Sequence, residues 1–308
     1  MIVDSHVHLQ PHGDYLTVDR GRLEVYVEHA RANGVDRIIF TEHLFRFHEA
    51  YALLDGWWND DPDPNLAALT HAYWQDEVNL SLPDYVRLIE TAKADGLPVR
   101  LGLEMDWIPG RADDLHRILA PYAWDCVLGS VHQIGAFQID HEGFLDEWDR
   151  RDVARVWEEY AQCIEDLADA RLVDVIAHPD LPKVFGHRPV DLTPIHGRIV
   201  AAAARGGLAL EINTNGVRKR CAEMYPHPDV LRAARVVGVP VTLASDAHMP
   251  DRLGASFAEA VALARAAGYG HYATHERRQR IALPLPDAVA GDRFPADSYR
   301  QPRAITQP

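Results

Sequence analysis

Three of this chain's 17 histidines, His6, His8 and His12, fall within its opening residues, MIVDSHVHLQPHGDY. Met1 to Val7 reads as a short apolar strand, and residues two apart on a strand point the same way. His6 and His8 therefore project side by side, and neutral imidazole is the commonest ligand for divalent metals. An isolated HxH also fits two ordinary polar residues at a strand end. The rest of the chain decides between these readings.

The same chemistry recurs. Apolar, strand-like runs span Ile2 to Val7, Arg37 to Thr41, Val99 to Leu103, Asp125 to Ser130, Val173 to Ala177, Leu208 to Ile212 and Val239 to Ala244. They finish in DSHVH, FTEH, GLEMD, GSVH, IAHPD, LEINT and ASDAH, so every run ends on a histidine or carboxylate, or has one beside its end. Helix-period segments lie between them, at Arg22 to Ala32, Leu82 to Ala94, Val153 to Ala170, Thr193 to Arg205 and Gly254 to Ala267, with Gly34, Gly96, Gly206 and Gly268 near the expected C-caps. Seven β-then-α units of this kind predict a parallel α/β barrel, whose C-terminal strand ends converge on one mouth. His6, His8, His43, Glu104, His132, His178, Glu211, Asp246 and His248 should then surround a single cavity. Nitrogen and oxygen donors without thiolate suit zinc, iron or manganese, and there are too many for one four-coordinate ion. More than one metal is expected, with Glu104 as the bridging carboxylate.

Composition limits the alternatives. At 308 residues and 47% hydrophobic content, one large core is the expectation. The barrel is placed at 1–283. Residues 44–80, containing DGWWNDDPDPN, read as a lid-like insertion, and 284–308 as a flexible C-terminal extension. A net charge of -15 without a basic cluster argues against nucleic acid or an anionic membrane as partner. The three cysteines have no CxxC spacing, which disfavours a disulfide framework or thiolate zinc site. No leader-like segment or membrane-length apolar run is evident, so the reading is cytoplasmic. No Ser/His/Asp or cysteine nucleophile stands out, which favours water as the attacking group.

Taken in order, the motifs HxH, TEH, an isolated Glu, SVH, HPD and SDAH resemble the PHP family, named for polymerase and histidinol phosphatase. The likeness runs over roughly residues 1 to 283. It implies a distorted (β/α)7 barrel, TIM-barrel-like, with a trinuclear metal centre. PHG at 11 to 13, FTEH at 40 to 43 and EINTNGVRKR at 211 to 220 are similar to the histidinol-phosphate phosphatase branch. Carried over motif by motif, the resemblance implies one ion on His6, His8, Glu104 and Asp246, a second on Glu104, His132 and His178, and a third on His43 and His248 with His12 or Asp14. Asp4, Glu42 and Asp180 are expected to orient the ligating imidazoles. Arg218 is the expected phosphate clamp, followed by Lys183 and Arg46, because a guanidinium fork matches phosphate.

The implied activity is a metal-dependent phosphatase using two to three divalent ions (Zn, Fe or Mn) on a small phosphorylated substrate. L-histidinol phosphate, an intermediate of histidine biosynthesis, is the expected substrate, attacked by a metal-bound hydroxide, with Asp246 or His248 as proton donor to the leaving group. The alternatives are a PHP phosphatase of another small phosphate ester, a metal-dependent amidohydrolase or deaminase, and a binding module with a degenerate site. The SVH and SDAH motifs, and the lack of a recognisable carboxylated-lysine position, count against the amidohydrolase. The complete set of metal-binding side chains counts against the degenerate module.

Overall fold

The structure is a computed structural model that describes residues 1–13, 15–287 and 289. Seven strands run parallel in chain order: β1 (Val3–Val7), β2 (Arg37–Phe40), β3 (Val99–Asp106), β4 (Cys126–Ser130), β5 (Val175–Ile176), β6 (Ala209–Asn213) and β7 (Val241–Ala244). Each matches an apolar run of the sequence to within a few residues. The runs are nearly continuous because both faces of a parallel barrel strand are covered, and every residue of β1, β4, β6 and β7 is buried. The ends of the sheet meet where Val7 bridges Ala247 and His8 N donates to Ala247 O at 2.8 Å. The barrel is distorted: β5 has only two residues, and the β1–β2 register shifts between Asp4 and Val7.

Among the described residues ten helices cover this sheet and its rim: α1 (Arg20–Ala32), α2 (His48–Leu54), α3 (Pro64–Glu77), α4 (Leu82–Ala94), α5 (Ala112–Leu119), α6 (Leu145–Arg150), α7 (Val153–Ala170), α8 (Thr193–Gly206), α9 (Pro228–Val236) and α10 (Phe257–Ala266). Asp19, Ser81 and Asp152 cap α1, α4 and α7 by accepting backbone N–H bonds from the first turn. Gly207 (φ 69°), rather than the expected Gly206, takes the left-handed position that ends α8.

The segment expected to be a lid is built differently. Residues 44–80 form α2, a short turn at Trp57–Asp60 and α3. Trp57, Trp58 and Trp74 are buried and meet edge-on, with ring centres 5.5 to 5.9 Å apart. Asp61 accepts from Ala136 N, and Thr70 donates to Ala136 O, which ties the segment to a small ribbon at Gln133–Ile134 and Phe137–Gln138. Its three buried indoles belong to the same hydrophobic core as the barrel. A second hairpin, β8 (His271–Glu276) with β9 (Gln279–Pro284), was not foreseen from the sequence. Pro284, expected to open the extension, pairs with His271. Residues 288 and 290–308 of that expected extension lie outside the described residues.

Candidate metal centre

Because β1 is extended, Val7 enters the core while His6 and His8 turn together toward the barrel axis, both fully buried. Their Nε2 atoms lie 2.9 Å apart. Glu104, on β3, places Oε2 3.3 Å from His6 Nε2 and 3.5 Å from His8 Nε2. Asp246, after β7, completes the group with Oδ1 3.8 and 3.5 Å from the same two nitrogens. The other Glu104 oxygen, Oε1, lies 2.9 Å from His178 Nε2 and 3.3 Å from His132 Nε2, and those nitrogens are 3.3 Å apart. His43 brings Nδ1 to 2.7 Å from Glu104 Oε2 and Nε2 to 3.2 Å from His248 Nε2. Five imidazoles thus converge on one carboxylate.

The hydrogen bonds behind the rings show which nitrogens carry lone pairs. A carboxylate only accepts, so a ring nitrogen bonded to one carries the proton. His6 Nδ1 donates to Glu211 Oε1 at 2.7 Å, His132 Nδ1 to Asp106 Oδ1 at 2.6 Å, and His8 Nδ1 to Glu42 Oε1 at 3.3 Å. With Nδ1 donating, Nε2 is the nitrogen each ring can offer a cation, and the Nε2 atoms of His6 and His8 lie 2.9 Å apart. Against burial, the nearby carboxylates raise the pKa of His6, His8 and His132, so a metal would take the place of those protons. Ligands about 2.0 to 2.2 Å from a tetrahedral ion sit roughly 3.3 Å from one another, the scale of the spacings here. Buried Glu104 Oε2 has His43 Nδ1 at 2.7 Å and the His6 and His8 rings at 3.3 and 3.5 Å, a crowding of donors that a shared cation would suit. The donor set fits divalent metals. Among the described residues, three compact groups of donors qualify: His6, His8 and Asp246; His43, Glu104 and His132; and His8, His43 and His248.

The electrostatics keep these groups able to bind a cation. Burial opposes ionisation of Glu104, but His6, His43 and His132 hold its carboxyl well below the usual range. Asp246 is likewise held low against burial by His6, His8 and His248. Burial, followed by the neighbouring histidines, pushes His43 and His248 well below the ordinary imidazole value and keeps them neutral. The backbone is strained at two of the donors: His178 has φ 27° and Asp246 φ 51°, a region that residues with a Cβ rarely enter.

Other expected site residues fall differently. His12 is half-exposed on the rim, its ring centre 4.9 Å from that of His43 and 4.7 Å from that of His248; Asp14 lies outside the described residues. Arg218 lines a cavity of about 250 Å³ over the histidine cluster, and its Nη2 donates to Asn215 Oδ1 and Ser245 O. Lys183 and Arg46 are not in that lining. Lys183 is buried against Asp180 Oδ2 (2.8 Å) and Met224 O (2.7 Å), while Arg46 is buried among Gln10, Pro11, Glu42 and Glu77 and holds the loop that carries His12. Both cations are consumed by internal partners.

Glu42 meets His8 as expected, but Asp4 and Asp180 orient no imidazole. Asp4 accepts from Ser245 and Gly254 and fastens β1 to the loop after β7. Asp180 holds Lys183 and His227 N. Their places are taken by Asp106 and by Glu211, whose second oxygen also accepts from His178 N at 2.8 Å. Both are the alternate residue of a strand-end motif, GLEMD and LEINT, and that spacing was the available signal. The cavity also includes Lys219, from the EINTNGVRKR segment, and Asp140, Tyr225 and Arg252, which carry no motif.

A barrel of parallel β-then-α units with a carboxylate-bridged histidine cluster at its mouth is the architecture of a metallohydrolase. The PHP domain family model matches residues 6–215, and the chain belongs to that family. A Deinococcus radiodurans protein described as a probable histidinol-phosphatase is 35% identical over 282 residues, covering 90% of this chain and 98% of that one. The histidinol-phosphatase of Lactococcus lactis is 24% identical over 259 residues, covering 81% and 86%. A crystal structure of histidinol phosphate phosphatase from the same Lactococcus, complexed with zinc, L-histidinol and phosphate, superposes with a TM-score of 0.68 at 22% identity, over 91% of this chain and 98% of that one. That likeness establishes the shared fold. Among the described residues no helix is long and apolar enough to cross a membrane.

Proposed function

We propose that this protein is a metal-dependent phosphomonoesterase that hydrolyses L-histidinol phosphate to L-histidinol and phosphate, as a cytoplasmic step of histidine biosynthesis. The observation that carries the reading is the convergence of five imidazoles on Glu104 beneath a cavity walled by Arg218. The Deinococcus relative, alike over nearly its whole length, supports the choice of substrate.

Two to three divalent ions, zinc, iron or manganese, would be held by His6, His8, Glu104 and Asp246, by Glu104, His132 and His178, and by His43 and His248 with His12. When bound, such ions neutralise phosphoryl oxygens and lower the pKa of water for attack at phosphorus. The chain supplies the rest. Glu211, Asp106 and Glu42 fix the ring orientation and tautomer of His6, His132 and His8. Asn213 and Asn215 donate to Asp246 Oδ2 at 3.2 and 3.1 Å and hold its strained carboxylate in place. Arg218, anchored on Asn215 and Ser245, binds the phosphoryl oxygens and stabilises charge that grows on them. Asp246 and His248 would both be engaged by metal, which leaves them compromised as proton donors. The proton for the leaving alkoxide would come from Asp246 or His248, or from water in the cavity.

The test is steady-state kinetics on a panel of small phosphate esters. L-histidinol phosphate should have the highest kcat/KM; a sugar or nucleotide phosphate exceeding it by tenfold or more would replace this substrate.

A further inference from the structure

The cavity over the histidine cluster is polarised in a way that phosphate alone does not explain. Its lining has Arg218 and Lys219 from the segment after β6 and Arg252 from the segment after β7, a cationic side suited to a phosphoryl group. Moving round the mouth, the segment after β5 contributes the apolar Leu181 and Val184, and the segment after β4 contributes Asp140. Three carboxylates line the cavity; Glu104 and Asp246 are engaged by histidines, and Asp140 is the third. It is half-buried and its charge acts on the nearby His132 and His141 rings, but among the described residues no hydrogen bond or ion pair holds its side chain. An unpaired carboxylate there repels a phosphate dianion and costs desolvation when substrate fills the cavity. Its presence is explained if the substrate itself brings a positive charge to that side.

We infer that Asp140 is a specificity-determining residue that binds a cationic group, an ammonium, on the alcohol half of the phosphate ester, while Leu181, Val184 and Tyr225 cover the apolar part between ammonium and phosphate. This deepens the proposed function and rests on it for the identity of the ester, since L-histidinol phosphate carries an ammonium beside its phosphate-bearing carbon. Asp140 selects through the charge difference between substrates: a neutral alcohol leaves its carboxylate desolvated and unpaired, whereas an ammonium pairs with it.

Two readouts test the inference on the metal-loaded enzyme. The first is calorimetric binding, above the imidazole pKa of about 6.5, of L-histidinol and of the analogue lacking only its amine. The second is the ratio of kcat/KM for ethanolamine phosphate to that for ethyl phosphate. In D140N, metal content should equal that of the parent, and both preferences for the amine should fall roughly 10- to 100-fold, the range for one hydrogen bond to a charged group. D140K should reverse the preference. If D140N and D140K keep the parent's amine preference, the inference is overturned, while the parent's turnover of L-histidinol phosphate leaves the substrate reading intact. If the parent fails on L-histidinol phosphate yet prefers ethanolamine phosphate through Asp140, the substrate reading falls and this one stands.

Discussion

The two ends of the barrel treat buried charge in opposite ways. At the N-terminal end, Asp125 accepts from Lys93 Nζ, Leu101 N and Arg277 N, and Asp174 accepts from Val127 N and from Arg278 Nε, so both carboxylates are fully occupied by the protein. The turn of the β8–β9 hairpin delivers Arg277 and Arg278 to them and seals that end. At the C-terminal mouth, five imidazoles crowd on the one carboxylate of Glu104, and ring nitrogens face one another at 2.9 to 3.3 Å. Charge satisfied from within the chain closes the barrel. The donors crowded at the mouth are arranged for a shared cation, and the two ends should therefore respond differently to substitution.

The largest effect is expected at the mouth. Glu104→Ala removes a carboxylate whose two oxygens serve separate groups of imidazoles, so elemental analysis should find more than one equivalent of metal lost, and activity lost with it. Loss of a single equivalent would mean that Glu104 is not shared. Next is Arg218→Ala, which should keep its metals and fold but lose roughly 10²- to 10³-fold in kcat/KM on L-histidinol phosphate. Arg218→Lys should recover only part, since an ammonium lacks the planar fork. Lys183→Ala should change stability rather than kinetics, because Lys183 is spent on Asp180 and Met224.

Smaller effects are expected at the closed end. Burial, reinforced by Arg280 and Arg278, pushes His275 down from 6.5 to about 4. The unfolded chain then binds the extra proton first, so stability present above pH 6.5 is lost as pH falls toward about 4. Two and a half units correspond to at most about 3 kcal/mol. Denaturant titrations of the parent and His275→Leu should diverge across that window, and parallel pH profiles would remove the assignment. Arg278→Ala should cost about 1 to 2 kcal/mol, at the lower end for charged hydrogen bonds because Arg278 is 34% exposed. Its metal content and kcat/KM should match the parent; a change in either would mean that the two ends are coupled.

The strands and their polar ends were legible because a parallel barrel imposes both the apolar runs and the convergence of their C-terminal residues. His6, His8, His43, Glu104, His132, His178, Asp246 and His248 come together for that reason alone. What escaped was settled by side-chain competition across the sequence. Lys183 follows HPD and is a plausible phosphate ligand by position, but Asp180, three residues away, and the distant Met224 carbonyl claim it. Asp4 lies two residues before His6 and Glu211 lies in a segment without a histidine, yet it is Glu211 that meets His6 Nδ1, which depends on how β6 faces β1 across the barrel. Residues 44–80 read as lid-like from their length, but the two helices they form and the burial of their tryptophans were not legible without the fold. The β8–β9 hairpin lies outside the repeating unit and had no counterpart in the pattern.

The central claim is that the donors crowded at the mouth bind metal and that this metal is required to cleave a phosphate ester. The direct test is phosphate release from L-histidinol phosphate by purified protein, measured before chelation, after exhaustive chelation, and after titration with zinc or manganese, with metal content recorded at each stage. The account requires activity to disappear with the metal and to return as two to three equivalents rebind. Undiminished phosphate release by protein shown to be metal-free would contradict it.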